Sequence, residues 1–206
     1  MNKGVNKNLI KDDWFVNNNI IELELSKTSG SLKWFKNFTQ LKSLKFWFGY
    51  YPIENIENFE YLENLEELYL YTINQYEQIY KNVDFLNKCN RIKKFHLVNK
   101  SLENIDVIKN FRELEELNIS EIRSELNLEA LLSCEKLKKL SIKARNFDFE
   151  LIKNCAALET LNLSDDVECN LSGKIIDINQ LKGLNNLKYL TIDNVEIKGI
   201  DNKIFF

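Results

Sequence analysis

Leu114-Glu115-Glu116-Leu117-Asn118-Ile119 carries the pattern on which the whole chain is built: one apolar residue, two polar ones, then apolar, polar, apolar. The same spacing returns at Ile20/Leu23/Leu25, Leu41/Leu44/Phe46, Leu65/Leu68/Leu70, Ile92/Phe95/Leu97, Leu137/Leu140/Ile142, Leu158/Leu161/Leu163 and Leu187/Leu190/Ile192. First positions fall 21, 24, 27, 22, 23, 21 and 29 residues apart, and chance alternation does not keep phase over eight copies. Each apolar-x-apolar core alternates with period two, so it reads as a short strand with an inward and an outward face. Strands recurring at this interval stack side by side, which predicts one elongated solenoid with a continuous core.

The flanks and the returns fill in around those strands. Residues 1–19 hold a single apolar cluster, Trp14-Phe15-Val16, and read as an N-terminal cap over the open end of the core. Residues 20–194 form the solenoid of about eight repeats, and 195–206 a C-terminal partial repeat and cap built on Val195 to Ile200 and Ile204-Phe205-Phe206. Asp84, Asp106, Asp148 and Asp177 each precede an apolar run, where a helix needs an acceptor for its free backbone N–H groups. Short helices capped by these aspartates are therefore expected behind the strands. The two longest intervals carry Tyr76 to Tyr80 and Asp165 to Gly173, which are expected to emerge as loops.

The repeated motif resembles the leucine-rich repeat family over nearly the whole chain. That resemblance implies an α/β fold: a leucine-rich-repeat solenoid with a concave parallel sheet of about eight short strands and short convex helices, used mainly to grip other proteins. The chain departs from the family in one respect. Family repeats place Asn or Cys three residues beyond the last strand leucine to hydrogen-bond the turn, whereas Thr28, Gly49, Ile73, Lys100, Ile122, Arg145, Asp166 and Val195 stand here.

Composition narrows the function. A net charge of -3 supplies no basic stripe for a phosphate backbone, so nucleic acid is disfavoured. Cys89, Cys134 and Cys155 each sit three residues before the first apolar residue of a repeat, where other repeats have Phe38, Leu62, Phe111 and Leu184. They read as small buried hydrophobes, with no disulfide or zinc role, and a single His excludes most metal clusters. No stretch has the apolar length of a signal peptide or a membrane span, so a cytoplasmic location is expected. No phosphate-cradling glycine loop, metal-ligand cluster or nucleophile motif occurs, which predicts no enzyme activity, no cofactor and no small-molecule substrate.

Stacking in register turns equivalent positions into rows. The row after the first apolar residue reads Ile21, Lys42, Glu66, Lys93, Glu115, Lys138, Glu159, Lys188, alternating in sign over seven repeats. The row before the second apolar residue repeats the habit at Glu67, Lys94, Glu116 and Lys139. Neighbouring opposite charges help choose which repeat stacks on which, and this needs no ligand. The two remaining outward rows gather large side chains on the second to fourth repeats: Trp47, Tyr69, Tyr71, His96 and Val98, with Lys45 beside them and Phe48, Tyr50 and Tyr51 in the loop that follows. Exposed aromatics in a cluster point to a partner site, because Trp and Tyr dominate interface hot spots.

The sequence therefore predicts a non-enzymatic protein-protein interaction module. The expected partner is a protein held on Lys45, Trp47, Phe48, Tyr50, Tyr51, Tyr69, Tyr71, His96 and Val98. The Lys, Asn and Ile richness suggests an AT-rich bacterial or phage genome, which favours a stand-alone inhibitor that sterically blocks a toxin or a defence (CRISPR-type) nuclease, as an immunity protein or an anti-CRISPR would. The alternatives are an adaptor joining two cellular proteins, or a single-stranded nucleic-acid binder using the aromatics as stacking platforms.

Overall fold

Period-two alternation becomes strand at all eight copies of the motif. The computed structural model describes residues 19–28, 32–48, 58–72, 83–99, 102–147, 149–164, 175–194 and 196–199. Strands β1 (Glu22–Thr28), β2 (Ser43–Phe48), β3 (Glu67–Thr72), β4 (Lys94–Val98), β5 (Glu116–Leu126), β6 (Lys139–Phe147), β7 (Thr160–Ser164) and β9 (Tyr189–Asp193) form one parallel sheet in chain order. Strands β8 (Ile175–Asp177) and β10 (Glu196–Lys198) pair in a second parallel sheet of two. The eight-stranded parallel sheet is the one the motif predicted. Of the expected partial ninth turn, residues 196–198 are strand β10.

Register between neighbours has no stagger. Leu23, Leu44, Leu68, Phe95, Leu117, Leu140, Leu161 and Leu190 lie opposite one another from β1 to β9. One residue per repeat enforces this, just before each strand. The carbonyl of Ile21 accepts the N–H groups of both Lys42 and Ser43, at 2.8 and 3.0 Å. The carbonyls of Lys42, Glu66, Lys93, Glu115, Lys138 and Glu159 each accept two consecutive N–H groups of the next repeat in the same way.

The inward side chains make one core, from Leu25 through Phe46, Leu70, Leu97, Ile119 and Ile142 to Leu163. At its N-terminal end the filling is aromatic: Phe35 packs edge-on against Phe59 at 5.0 Å, and Phe59 against Phe85 at 4.9 Å. Such edge-to-face pairs are the favoured geometry of ring quadrupoles.

The returns behind the sheet are tighter than α-helices. Residues 33–37, 59–61, 84–86, 106–110, 129–133, 149–154 and 178–181 form 3-10 turns, and no α-helix occurs among the described residues. The reason is in the apolar spacing. Leu32, Phe35, Phe38 and Leu41 are buried at every third residue, as are Ile105, Ile108, Phe111 and Leu114, and Leu128, Leu131, Cys134 and Leu137. Successive i to i+3 bonds link each series, as from Phe35 N–H to the Leu32 carbonyl and Phe38 N–H to the Phe35 carbonyl, both 2.9 Å. Three residues per turn is the 3-10 repeat, and it eclipses the apolar side chains on one stripe.

Capping departs from expectation at two of the four aspartates. Asp84 and Asp106 are the first residues of their turns, and the cap positions Val83 and Ile105 offer no side-chain acceptor. At the turns that begin with Asp106 and Glu129 an asparagine two residues upstream of the bonded N–H takes this part: Asn104 Oδ1 accepts from Asp106 N–H at 3.3 Å and Asn127 Oδ1 from Glu129 N–H at 2.8 Å. Asp106 instead pairs with Lys109 at 2.8 Å. Asp177 caps as expected, accepting from Asn179 N–H at 3.0 Å. Asp148, the segments Tyr76 to Tyr80 and Asp165 to Gly173, and the capping residues Trp14 to Val16 and Ile204 to Phe206 lie outside the described residues.

Cys89, Cys134 and Cys155 are free thiols buried in the core. Burial pushes the Cys89 and Cys134 thiols up to about 12 and that of Cys155 to about 11. A thiol so far above neutrality supplies almost no thiolate. In a Cys169→Ser variant, a disulfide reagent at pH 8 should leave all three unreacted in the native protein and label all three in denaturant. Native labelling at the denatured rate would contradict the core assignment.

Candidate functional site

The two charged rows meet as drawn from the sequence. Glu66 takes Lys93 at 2.7 Å and Lys42 at 3.7 Å, Glu115 takes Lys138 at 3.0 Å and Glu159 takes Lys188 at 2.8 Å. In the second row Lys94 bridges to Glu67 at 2.6 Å and Lys139 to Glu116 at 3.7 Å. A third row, one residue before the first apolar position, was not seen in the sequence: Arg91 donates to Asn64 at 2.9 Å and Lys136 pairs with Glu113 at 2.6 Å. Its sign alternation covers fewer repeats and ends in Ala157 and Asn186, so the signal is short. The first two rows line a shallow groove from Glu66 to Lys139. Lysine hydrogen bonds hold Glu66, Glu113 and Glu159 below the usual carboxylate range, through Lys93, Lys136 and Lys188 respectively.

Beside this neutralised groove the aromatic residues come together on β2, β3 and β4. Register places Trp47 against Tyr71 and Tyr71 against Val98, and in the adjacent row Lys45 against Tyr69 and Tyr69 against His96. Trp47 and Tyr71 stack face to face, with centroids 3.9 Å apart and planes 11° from parallel. Tyr69 and His96 lie 4.5 Å apart and tilted, and Lys45 Nζ sits over the Tyr69 ring at 5.6 Å from its centroid. Trp47, Tyr69, Tyr71, His96 and Val98 are all half-buried, while Lys45 is exposed. Burial raises the hydroxyls of Tyr69 and Tyr71, and the Glu67 carboxylate adds to the first. Both therefore stay neutral and present O–H donors at physiological pH.

Two placements differ from the sequence reading. Phe48 is the last residue of β2, in register with Thr72, rather than part of a following loop, and Tyr50 and Tyr51 lie outside the described residues. Glu116 also belongs to the site, because its Oε1 lies 2.8 Å from His96 Nε2. The sequence assigned Glu116 to the charged row alone. Its position on β5, diagonally across from His96 on β4, was the available signal.

No group of three or more His, Cys, Asp or Glu side chains is placed to hold a metal ion among the described residues. None of the described helices is long and apolar enough to cross a membrane.

No protein-family model matches this sequence, and no curated protein matches it either. Solved structures do. An internalin (inlF) from Listeria monocytogenes superposes with a TM-score of 0.67 at 20% identity, covering 88% of this chain and 50% of the internalin. The fold is a leucine-rich-repeat solenoid. Internalin C2 (inlC2) of the same organism gives 0.60 at 20% identity over 84% of this chain and 80% of its own. The plant peptide hormone receptor RGFR1, solved in complex with RGF2, gives 0.61 at 19% identity over 91% of this chain and 30% of the receptor. The chain thus spans half of the first internalin and less than a third of the receptor, and the likeness is one of leucine-rich-repeat fold.

Two outcomes follow from the charged rows. Glu115→Lys puts a third lysine between Lys93 and Lys138, and should cost a few tenths to about 1 kcal/mol, less in salt. An unchanged melting temperature at low ionic strength would count against the ladder. The lowered glutamates also make stability depend on pH. Their folded values lie below the unfolded value of about 4.3, so their contribution is whole above that pH and is lost as pH falls through the folded values. Melting temperature should therefore drop between about pH 5 and pH 3, more steeply at low salt than in about 1 M salt, where the pairs are already screened. An equal drop at both ionic strengths would remove the ion pairs as its cause.

Proposed function

We propose that this protein is a non-enzymatic binding module whose partner is another protein, anchored on Trp47, Tyr69, Tyr71, His96 and Val98, with Lys45 at the margin. The observation that carries this reading is the pair of ring contacts on the solvent face of the sheet, Trp47 on Tyr71 and Tyr69 on His96. Four rings held in fixed mutual geometry lose little side-chain entropy on binding, which is the property of interface anchors. The flanking strands present Asn118, Ser141 and Asn162 in the same row, a polar floor of the kind that rims a binding core.

A nucleic-acid reading fares worse. Lys42, Lys93 and Lys94, which would have to follow a phosphate backbone, each pair with Glu66 or Glu67.

Within this reading we favour a cytoplasmic inhibitor that blocks a toxin or defence nuclease by covering its working surface, on the strength of the Lys, Asn and Ile richness that suggests an AT-rich bacterial or phage genome, over an adaptor joining two proteins. Inhibition of that kind is stoichiometric and involves no turnover by this chain. Once a partner is in hand, Trp47→Ala and Tyr69→Ala should each weaken binding at least roughly tenfold, and Ser141→Ala or Asn162→Ala by less than about fivefold. Each aromatic substitution also removes one ring pair, at about 1 kcal/mol of stability, so the variants remain folded for the assay. Binding that survives both aromatic changes would sink the site, and inhibition that persists at sub-stoichiometric amounts would sink steric blocking.

A further inference from the structure

Among the described residues the column of rings on the sheet ends at Trp47. Tyr71 covers one face of its indole, and because that stacking runs from strand to strand, the other face is turned toward β1. There its register partner is Ser26, an exposed residue too small to cover a ring. Neighbouring strands lie about 4.8 Å apart, so the space over Ser26 matches the thickness of one planar group.

The same face of β1 is acidic in an uncompensated way. Glu22 and Glu24 are exposed, four and two residues before Ser26, and neither has an ion pair among the described residues. Their register partners are Ser43 and Lys45, and Lys45 leans away, over Tyr69 on the opposite neighbour. By contrast Glu66, Glu67, Glu115, Glu116 and Glu159 each have a lysine.

We propose that the slot over Ser26 receives an arginine side chain of the protein partner, its guanidinium stacked on the β1-side face of Trp47 and its charge met by Glu24, with Glu22 strengthening the local field. This rests on the protein-binding reading above and specifies the anchor that the partner supplies. Arginine fits because it is planar, weakly hydrated and cationic, and it prefers tryptophan faces. A partner aromatic ring would stack equally but leave both carboxylates without a counter-charge. A nucleobase would bring phosphates toward them.

The test uses the full chain labelled with 5-fluorotryptophan, the Trp47 resonance being identified by its loss in Trp47→Phe. The probes are acetylated, amidated Gly-Arg-Gly and its lysine and citrulline counterparts, citrulline keeping the shape of arginine without its charge. The arginine peptide should shift the Trp47 signal saturably, with the other two at least about threefold weaker. Glu22→Gln with Glu24→Gln should bring the arginine peptide down to the level of citrulline. Ser26→Tyr, which fills the slot with the protein's own ring, should abolish the shift without lowering the melting temperature. Equal response to arginine and citrulline, no response to any probe, or a response that survives Ser26→Tyr would each overturn the proposal. A partner whose binding falls with Tyr69→Ala but not with Ser26→Tyr would remove the arginine slot and leave the binding face standing, whereas indifference to both would remove the face itself.

Discussion

Seven carbonyls, from Ile21 to Glu159, each accept two consecutive N–H groups from the repeat that follows. That doubled contact pins one peptide against two, so a repeat cannot slide by a residue without breaking both bonds. A slip of one would also exchange the inward and outward sets of side chains, exposing Leu117 and burying Asn118. Zero stagger is the consequence, and every row on the solvent face exists because of it.

Six of those seven carbonyls belong to residues of the charged row that are themselves ion-paired to a neighbouring repeat: Lys42, Glu66, Lys93, Glu115, Lys138 and Glu159. At Lys42, Glu66, Glu115 and Glu159 backbone and side chain thus hold the same following repeat, while Lys93 and Lys138 pair back to the preceding one. The hydrogen bonds are identical at every repeat and cannot tell one from another. The charges can, since placing Lys93 beside Lys138, as omission of the fifth repeat would, sets like against like. Individually such exposed pairs are weak. Their contribution is to the order of repeats more than to the total stability.

Strand positions, register and the identity of the outward rows were legible in the sequence, because period two and the repeat interval specify them without reference to anything outside the strands. The returns were legible as short helices, but not as helices of the 3-10 kind. Apolar residues at Leu128, Leu131, Cys134 and Leu137 have period three, but Leu132 four residues after Leu128 completes the i, i+3, i+4 stripe of an α-helix in the sequence, and only its exposure in the fold separates the two. Asparagine caps escaped for a related reason: Asn104 and Asn127 act one position earlier than an α-helical cap would suggest. At the candidate site, outward placement of Trp47, Tyr69 and Tyr71 followed from alternation. The stacking of Trp47 on Tyr71 and the hydrogen bond from His96 to Glu116 depend on rotamers, which one-dimensional patterns do not carry.

Strands β5 and β6 are 11 and nine residues long, and after the main-sheet register they turn a corner at Glu121, whose φ of 63° is left-handed, and pair again at Ile122 with Ala144 and Leu126 with Phe147. That interface carries two runs of strand pairing instead of one. In a chain whose contacts join mostly successive repeats, assembly starts wherever one interface outweighs the loop closure needed to reach it, and then spreads by nearest neighbours. The centre is therefore the expected seed and the two ends the last to order. A solenoid that grows outward from its middle completes the Trp47 column late, after the scaffold that positions it already exists.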